Sequence, residues 1–169
     1  MSHARNKVEW CLKKAEKELE AGKKHRGLLI IMPSTEKANE HIAKAEHYLF
    51  ASDFLKKGGF SDISASTLFY AMYHCLLAIA AKHGYESRNQ ECTFALVRYL
   101  IDSGRIQFGK ALIDKAASFD LKNEDMTSIE IREKYQYGTS LSLKENLYKE
   151  MYMLAKQVIA ETKTAIAES

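Results

Sequence analysis

Between Asp62 and Gly84 the chain reads DISASTLFYAMYHCLLAIAAKHG, with no charged side chain after Asp62 until Lys82. Wound into a helix, this segment is apolar on nearly every side, the pattern of a helix enclosed by others in the middle of a bundle. Tyr70, Tyr73, His74 and the serines break it short of the roughly 20 apolar residues that span a bilayer, so no membrane span is expected. The rest of the chain must therefore supply helices to cover it. Pro33 is the only proline, whereas sheets joined by many tight turns normally need several. With 169 residues the chain can bury one sizeable core without metal or disulfide staples. Its 46% hydrophobic and 28% charged content is too apolar for a disordered chain.

Around the central segment the periodicity predicts an all-α, up-and-down bundle of about five to six helices, the central one over about 62–83. A first helix is expected from about Ala4 to His25, its modest apolar side formed by Trp10, Leu12, Ala15 and Leu19. The short apolar run Leu28 to Met32 then meets Pro33. Ser34 stands where an N-cap belongs, and Glu36 in the first turn suits the helix dipole. Ala38, Ile42, Ala45 and Leu49, spaced four, three, four, give the second helix its buried face before Gly58-Gly59 stops it. Ser87 and Gln90 form a capping-box pattern ahead of a fourth helix with Phe94, Val97, Leu100 and Ile101. A weaker helix is expected over Ile106 to Phe119, and a mixed segment of loop and short helix over Asp120 to Ser140. Ser142-Leu143-Lys144-Glu145 is a second capping box, ahead of a long final helix bearing Leu147, Met151, Leu154, Val158 and Ala165. The whole chain, 1–169, reads as one domain, with 1–35 an N-terminal helical extension and 36–169 the core bundle.

The net charge of +3 is too small to mark a nucleic-acid-binding protein by electrostatics alone. Cys11, Cys75 and Cys92 are odd in number and lack CxxC spacing, so they read as reduced thiols in a cytoplasmic protein. Glu40, His41, Glu46 and His47 miss the spacing of bundle metal sites and read as a solvated face; no metal or cofactor is expected. The basic cluster Gly22 to Gly27 lacks phosphate-loop spacing and reads as a helix end. Tyr148, Tyr152 and Met153 read as packing or dimer contacts. Ser66, Tyr70 and His74 recur every four residues, with Tyr73 alongside, and so draw one polar stripe down the apolar helix. Such a stripe either lines a cleft or forms a buried hydrogen-bond network.

Three short motifs carry a family resemblance. Gly59-Phe60-Ser61-Asp62, Phe69-Tyr70-Ala71-Met72-Tyr73-His74 and Gly84-Tyr85-Glu86-Ser87 resemble the core hairpin of HEPN domains, the small helical bundles found beside nucleotidyltransferases and in RNA-targeting toxin systems. Ile131-Arg132-Glu133-Lys134-Tyr135-Gln136-Tyr137 resembles the arginine-bearing segment before that family's last helix, and the likeness runs from about Lys37 to Ile166. The resemblance implies a homodimer, an associated nucleotidyltransferase and, in the toxin branch, metal-independent RNA cleavage by an arginine and a histidine four to six residues later. Arg132 matches the arginine, but Tyr137 stands five residues on, where the histidine belongs, and no histidine follows it. A phenol with a pKa near 10 is a poor general base at neutral pH.

The resemblance thus implies a non-catalytic binding or interaction module that associates with a nucleotidyltransferase and with nucleotide or RNA. Arg132, Tyr135, Tyr137, Tyr70 and His74 are its candidate binding residues. A metal-independent ribonuclease with Arg132 as the catalytic residue, His74 or a tyrosine replacing the missing histidine, is the alternative. A bundle that serves assembly alone is the third reading.

Overall fold

A computed structural model describes residues 3–117, 120–121, 124–125 and 128–168. The elements are α1 (His3–Glu20), β1 (Leu28–Ile30), α2 (Thr35–Lys57), α3 (Ser61–Lys82), β2 (Tyr85–Ser87), α4 (Gln90–Asp102), α5 (Lys110–Ala117), β3 (Asp120–Leu121), β4 (Glu124–Asp125), α6 (Ser128–Tyr137) and α7 (Glu145–Glu168). The chain is an all-α bundle, with seven helices among the described residues. The additional helix comes from the mixed segment, where α6 forms. The expected end of α5 at Phe119 lies outside the described residues.

α3 occupies the centre, as its composition demands. Leu68, Phe69, Met72, Leu76 and Ile79 are fully enclosed, each worth about 1.5–3 kcal/mol relative to an exposed side chain. By length and composition alone α3 would also qualify as a membrane span, but 61% of its apolar window is buried inside the bundle. α2 lies antiparallel against it: Ser34 N–H donates to Ala81 O, His41 meets His74, Tyr48 meets Tyr70, and Ser64 Oγ donates to Ser52 O. α7 closes the other side, tied to α2 by Lys56–Glu145 near one end and Lys163–Glu46 near the other.

The ends of α2 follow the sequence signals. Ser34 Oγ accepts from Lys37 N–H at 3.0 Å. The Ser87 capping box, by contrast, does not form. Asn89 is the N-cap of α4, its side chain accepting from Cys92 N–H, because Ser87 is drawn into β2 and bonds Thr93 at 2.7 Å. Likewise α7 begins at Glu145, whose carboxylate pairs with Lys56 at 2.7 Å.

The N-terminal part departs most from expectation. α1 stops at Glu20, not His25, because Gly22 takes φ +69, where a left-handed residue closes the helix and Lys23 N–H bonds back to Glu18 O. Its buried face is Ala4, Val8, Cys11 and Ala15, while Trp10 and Leu19 lie exposed. A covalent tie sets that face: Cys11 and Cys92 form a disulfide, and only Cys75 is a free thiol. The reduced reading of Cys11 and Cys92 fails because helices distant in sequence bring them together, which no local spacing announces. The apolar run after α1 becomes β1, pairing antiparallel with β2 from Leu28↔Ser87 to Ile30↔Tyr85. Gly27 lets the chain entering β1 lie directly against α1, since a Cβ there would stand 2.3 Å from the Cys11 carbonyl oxygen.

Candidate functional site on the central helix

Two clusters of polar and aromatic groups meet α3, and they differ in character. The first holds the motif arginine. Arg132 projects from α6 and is only 8% exposed, with its guanidinium carbon 5.0 Å from the centre of the Phe69 ring. Phe69 is 1% exposed and clamped further by Tyr73, stacked at 6.0 Å, and Tyr70, edge-on at 5.6 Å. A weakly hydrated planar guanidinium over a ring face is a contact arginine suits better than lysine. Tyr135, also buried, helps seat α6, whereas Tyr137 is 76% exposed. Arg132 and Tyr137, paired in sequence, thus lie in opposite environments, one in the core and one in solvent.

Tyr73 belongs to the packing as well. Its hydroxyl meets Thr93 Oγ1 at 3.2 Å, and Thr93 also meets Ser87 Oγ and donates to Asn89 O. Burial pushes the Tyr73 phenol above its ordinary pKa. This is a neutral hydroxyl network beneath α4. On α7, Tyr148 stacks on Tyr152 at 5.7 Å, with Lys56 over the Tyr148 ring.

The second cluster lies on the seam between α2 and α3 and is half buried. His41 Nδ1 and His74 Nδ1 are 3.0 Å apart. Tyr48 stacks on His74 with centroids 5.5 Å apart and also meets Tyr70 at 5.7 Å, while Lys44 sits 5.1 Å over the Tyr48 ring. Seven residues separate His41 from Tyr48 and four separate Tyr70 from His74, so each pair lines up along one face of its helix. Burial first, then His41 and Lys44, push the His74 imidazole down to about 4. His41 is lowered too, by burial and then Lys37, with Glu40 opposing. Both rings are therefore neutral at pH 7, one Nδ1–H donating to the other ring's bare nitrogen. Neutral imidazoles accept protons and stack; they do not act as ready acids or fixed cations.

His41 is the residue sequence reasoning missed. It reads as part of a solvated face because its partner is set by the register of α2 against α3, which one helix's pattern does not reveal. Tyr48 was hidden for the same reason. Among the described residues, no group of three or more His, Cys, Asp or Glu side chains is gathered as for a metal ion. The basic cluster also divides: His25 is buried and meets Glu86 Oε1 at 3.0 Å, while Lys23, Lys24 and Arg26 face solvent. Of the candidate binding residues, the bundle links Tyr70 and His74 through Tyr48 and joins Arg132 to Tyr70 through Phe69, leaving Tyr137 at the surface. No protein-family model matches the chain, and no curated protein is significantly similar to it, so these side chains carry the functional reading.

Proposed function

We propose that this chain is a HEPN-like, non-catalytic binding module that takes a nucleotide or a segment of RNA on the ring face between α2 and α3, works as a homodimer and docks with a nucleotidyltransferase. The observation carrying the binding reading is the half-buried file His41, His74, Tyr48 and Tyr70. Bases stack on such rings for about 1–3 kcal/mol each, and neutral imidazole edges add donors and acceptors without net charge. The modest charge of the chain accords with stacking rather than phosphate attraction as the main attractive force. Arg132 speaks against catalysis, because an arginine that stabilises developing charge on phosphorus must reach it, and this one packs on Phe69. The dimer and the protein partner rest on the family resemblance together with exposed apolar side chains such as Phe50 and Phe54, 71% and 70% exposed on one side of α2.

The test incubates wild type, Tyr70→Ala and Arg132→Lys proteins with labelled RNA in EDTA and reads both cleavage and retention. The reading predicts no cleavage, retention by wild type, a loss of about tenfold in Tyr70→Ala, and little change in Arg132→Lys. Cleavage by wild type that vanishes in Arg132→Lys would establish the ribonuclease instead. Retention by none of the three would leave a bundle that serves assembly.

A further inference from the structure

We infer that the cleft between the two-stranded β1–β2 sheet and the adjoining ends of α2 and α3 is a separate binding site for a small planar ring bearing one phosphate. It shares His41 with the ring face but does not depend on RNA binding there. The cavity is about 330 Å³, at the small end of the range for ligand sites. Leu77, Ala80 and Ala81 of α3 line it together with Ile31, and the rings of Tyr85 and His41 add two aromatic walls. Lys37 and Arg88 line the cleft together with the carboxylate of Glu86, and the two basic side chains provide the cations for an anionic substituent.

Backbone hydrogen bonds hold the walls. Ile31 N–H donates to Gly84 O at 2.9 Å, Ser34 N–H to Ala81 O at 3.0 Å, and Arg88 N–H to Gly27 O at 3.2 Å. Preorganisation of this kind reduces what binding must spend on ordering. His41 turns Nδ1 toward His74, which leaves Nε2 as its polar atom for the cleft. The cations are positioned by acids they can share. Lys37 pairs with Glu40 at 2.6 Å, both side chains more than half exposed, and an exposed pair of this kind is weak enough to be shared with a ligand. Arg88 gives Nε–H to Glu86 at 2.8 Å, so its terminal nitrogens are outside that bond and suited to grip phosphate. The hydrogen bond from buried His25, with Arg88 assisting, holds the Glu86 carboxyl below its usual range. Glu86 therefore stays ionised and keeps Arg88 at the rim.

The test is a titration of the full chain, followed by amide chemical shifts, with phenyl phosphate, inorganic phosphate and phenol. Phenyl phosphate is expected to saturate, with the largest shifts at Lys37, Ala81 and Arg88, and to bind at least about tenfold tighter than either of the others. Arg88→Gln and Lys37→Gln, both exposed positions, should each weaken it by about tenfold or more while leaving RNA retention intact. Conversely, Tyr70→Ala should spare phenyl phosphate binding, so the failure of one site is distinguishable from failure of the other. Absence of saturation, equal binding of inorganic phosphate, shifts centred elsewhere, or indifference to both substitutions would each overturn the assignment.

Discussion

Phe69 and Tyr70 are neighbours in sequence yet look onto opposite kinds of environment. At Phe69 the helix meets a cation that has left solvent: Arg132 lies against the ring, and Tyr73 stacks on it as well. At Tyr70 the helix meets a seam of rings that keep part of their surface open, with two imidazoles held neutral by burial. The first cluster uses polar groups to fasten α6 to the core. The second leaves stacking surface and hydrogen-bonding edges within reach of a ligand. A motif position therefore does not by itself disclose a role, because a residue's environment decides whether its charge is displayed or consumed in packing.

The largest predicted effect breaks the closed side. Phe69→Ala should cost about 3–5 kcal/mol in denaturant unfolding, since it opens a cavity and deprives the Arg132 guanidinium of its ring. Tyr70→Ala, at the half-open position, should cost clearly less, and equal losses would erase the distinction between the faces. Next comes the covalent tie between α1 and α4. The Cys11–Cys92 bond closes a separation of 81 residues, so Cys11→Ala with Cys92→Ala should lower stability by about 2–4 kcal/mol. Melting with and without reductant checks this: the wild type should drop toward the double variant, and an unchanged midpoint would refute the tie. RNA retention on the ring face should survive in the folded variant.

A smaller effect sharpens the account of the open face through pH. The His74 pKa is lowered from 6.5 to about 4 in the folded chain, so between those values the unfolded chain binds more protons. Stability from this group is then complete above about pH 6.5 and declines as pH falls toward about 4. Allowing for partial exposure and solvent screening, the loss should be about 1–2 kcal/mol, with His41 acting in the same direction. Urea midpoints at pH 7 and pH 5 measure it, and His74→Phe should flatten the slope over that interval; an unaltered slope would show that His74 is not held neutral. The smallest effect is at Tyr137, where Tyr137→Ser should change stability by less than about 0.5 kcal/mol because the ring is 76% exposed.

The sequence made some of this legible and hid the rest for identifiable reasons. α3 was apparent within a residue or two because an uncharged run of that length leaves few alternatives, and Ser34 announced α2 because an N-cap acts through three adjacent residues. What depended on distant partners was invisible. The strand Leu28–Ile30 has no alternation of its own and exists because β2 pairs with it. Cys11 acquires its partner from α4, and Ser87 lost its capping role to that same strand pairing. At the candidate site, Tyr70 and His74 stood out as polar interruptions of an apolar helix. Arg132 was noticed through a motif, and its burial against Phe69 follows from where α6 docks rather than from the motif.

The most direct measurement of the central claim is a titration of isotope-labelled protein with a short single-stranded RNA, observing the imidazole resonances of His41 and His74 together with the Arg132 guanidinium signal. The account predicts that both imidazoles shift and saturate while the Arg132 signal stays in place. Movement of Arg132 with the imidazoles unchanged, or no saturating shift at either histidine, would contradict it.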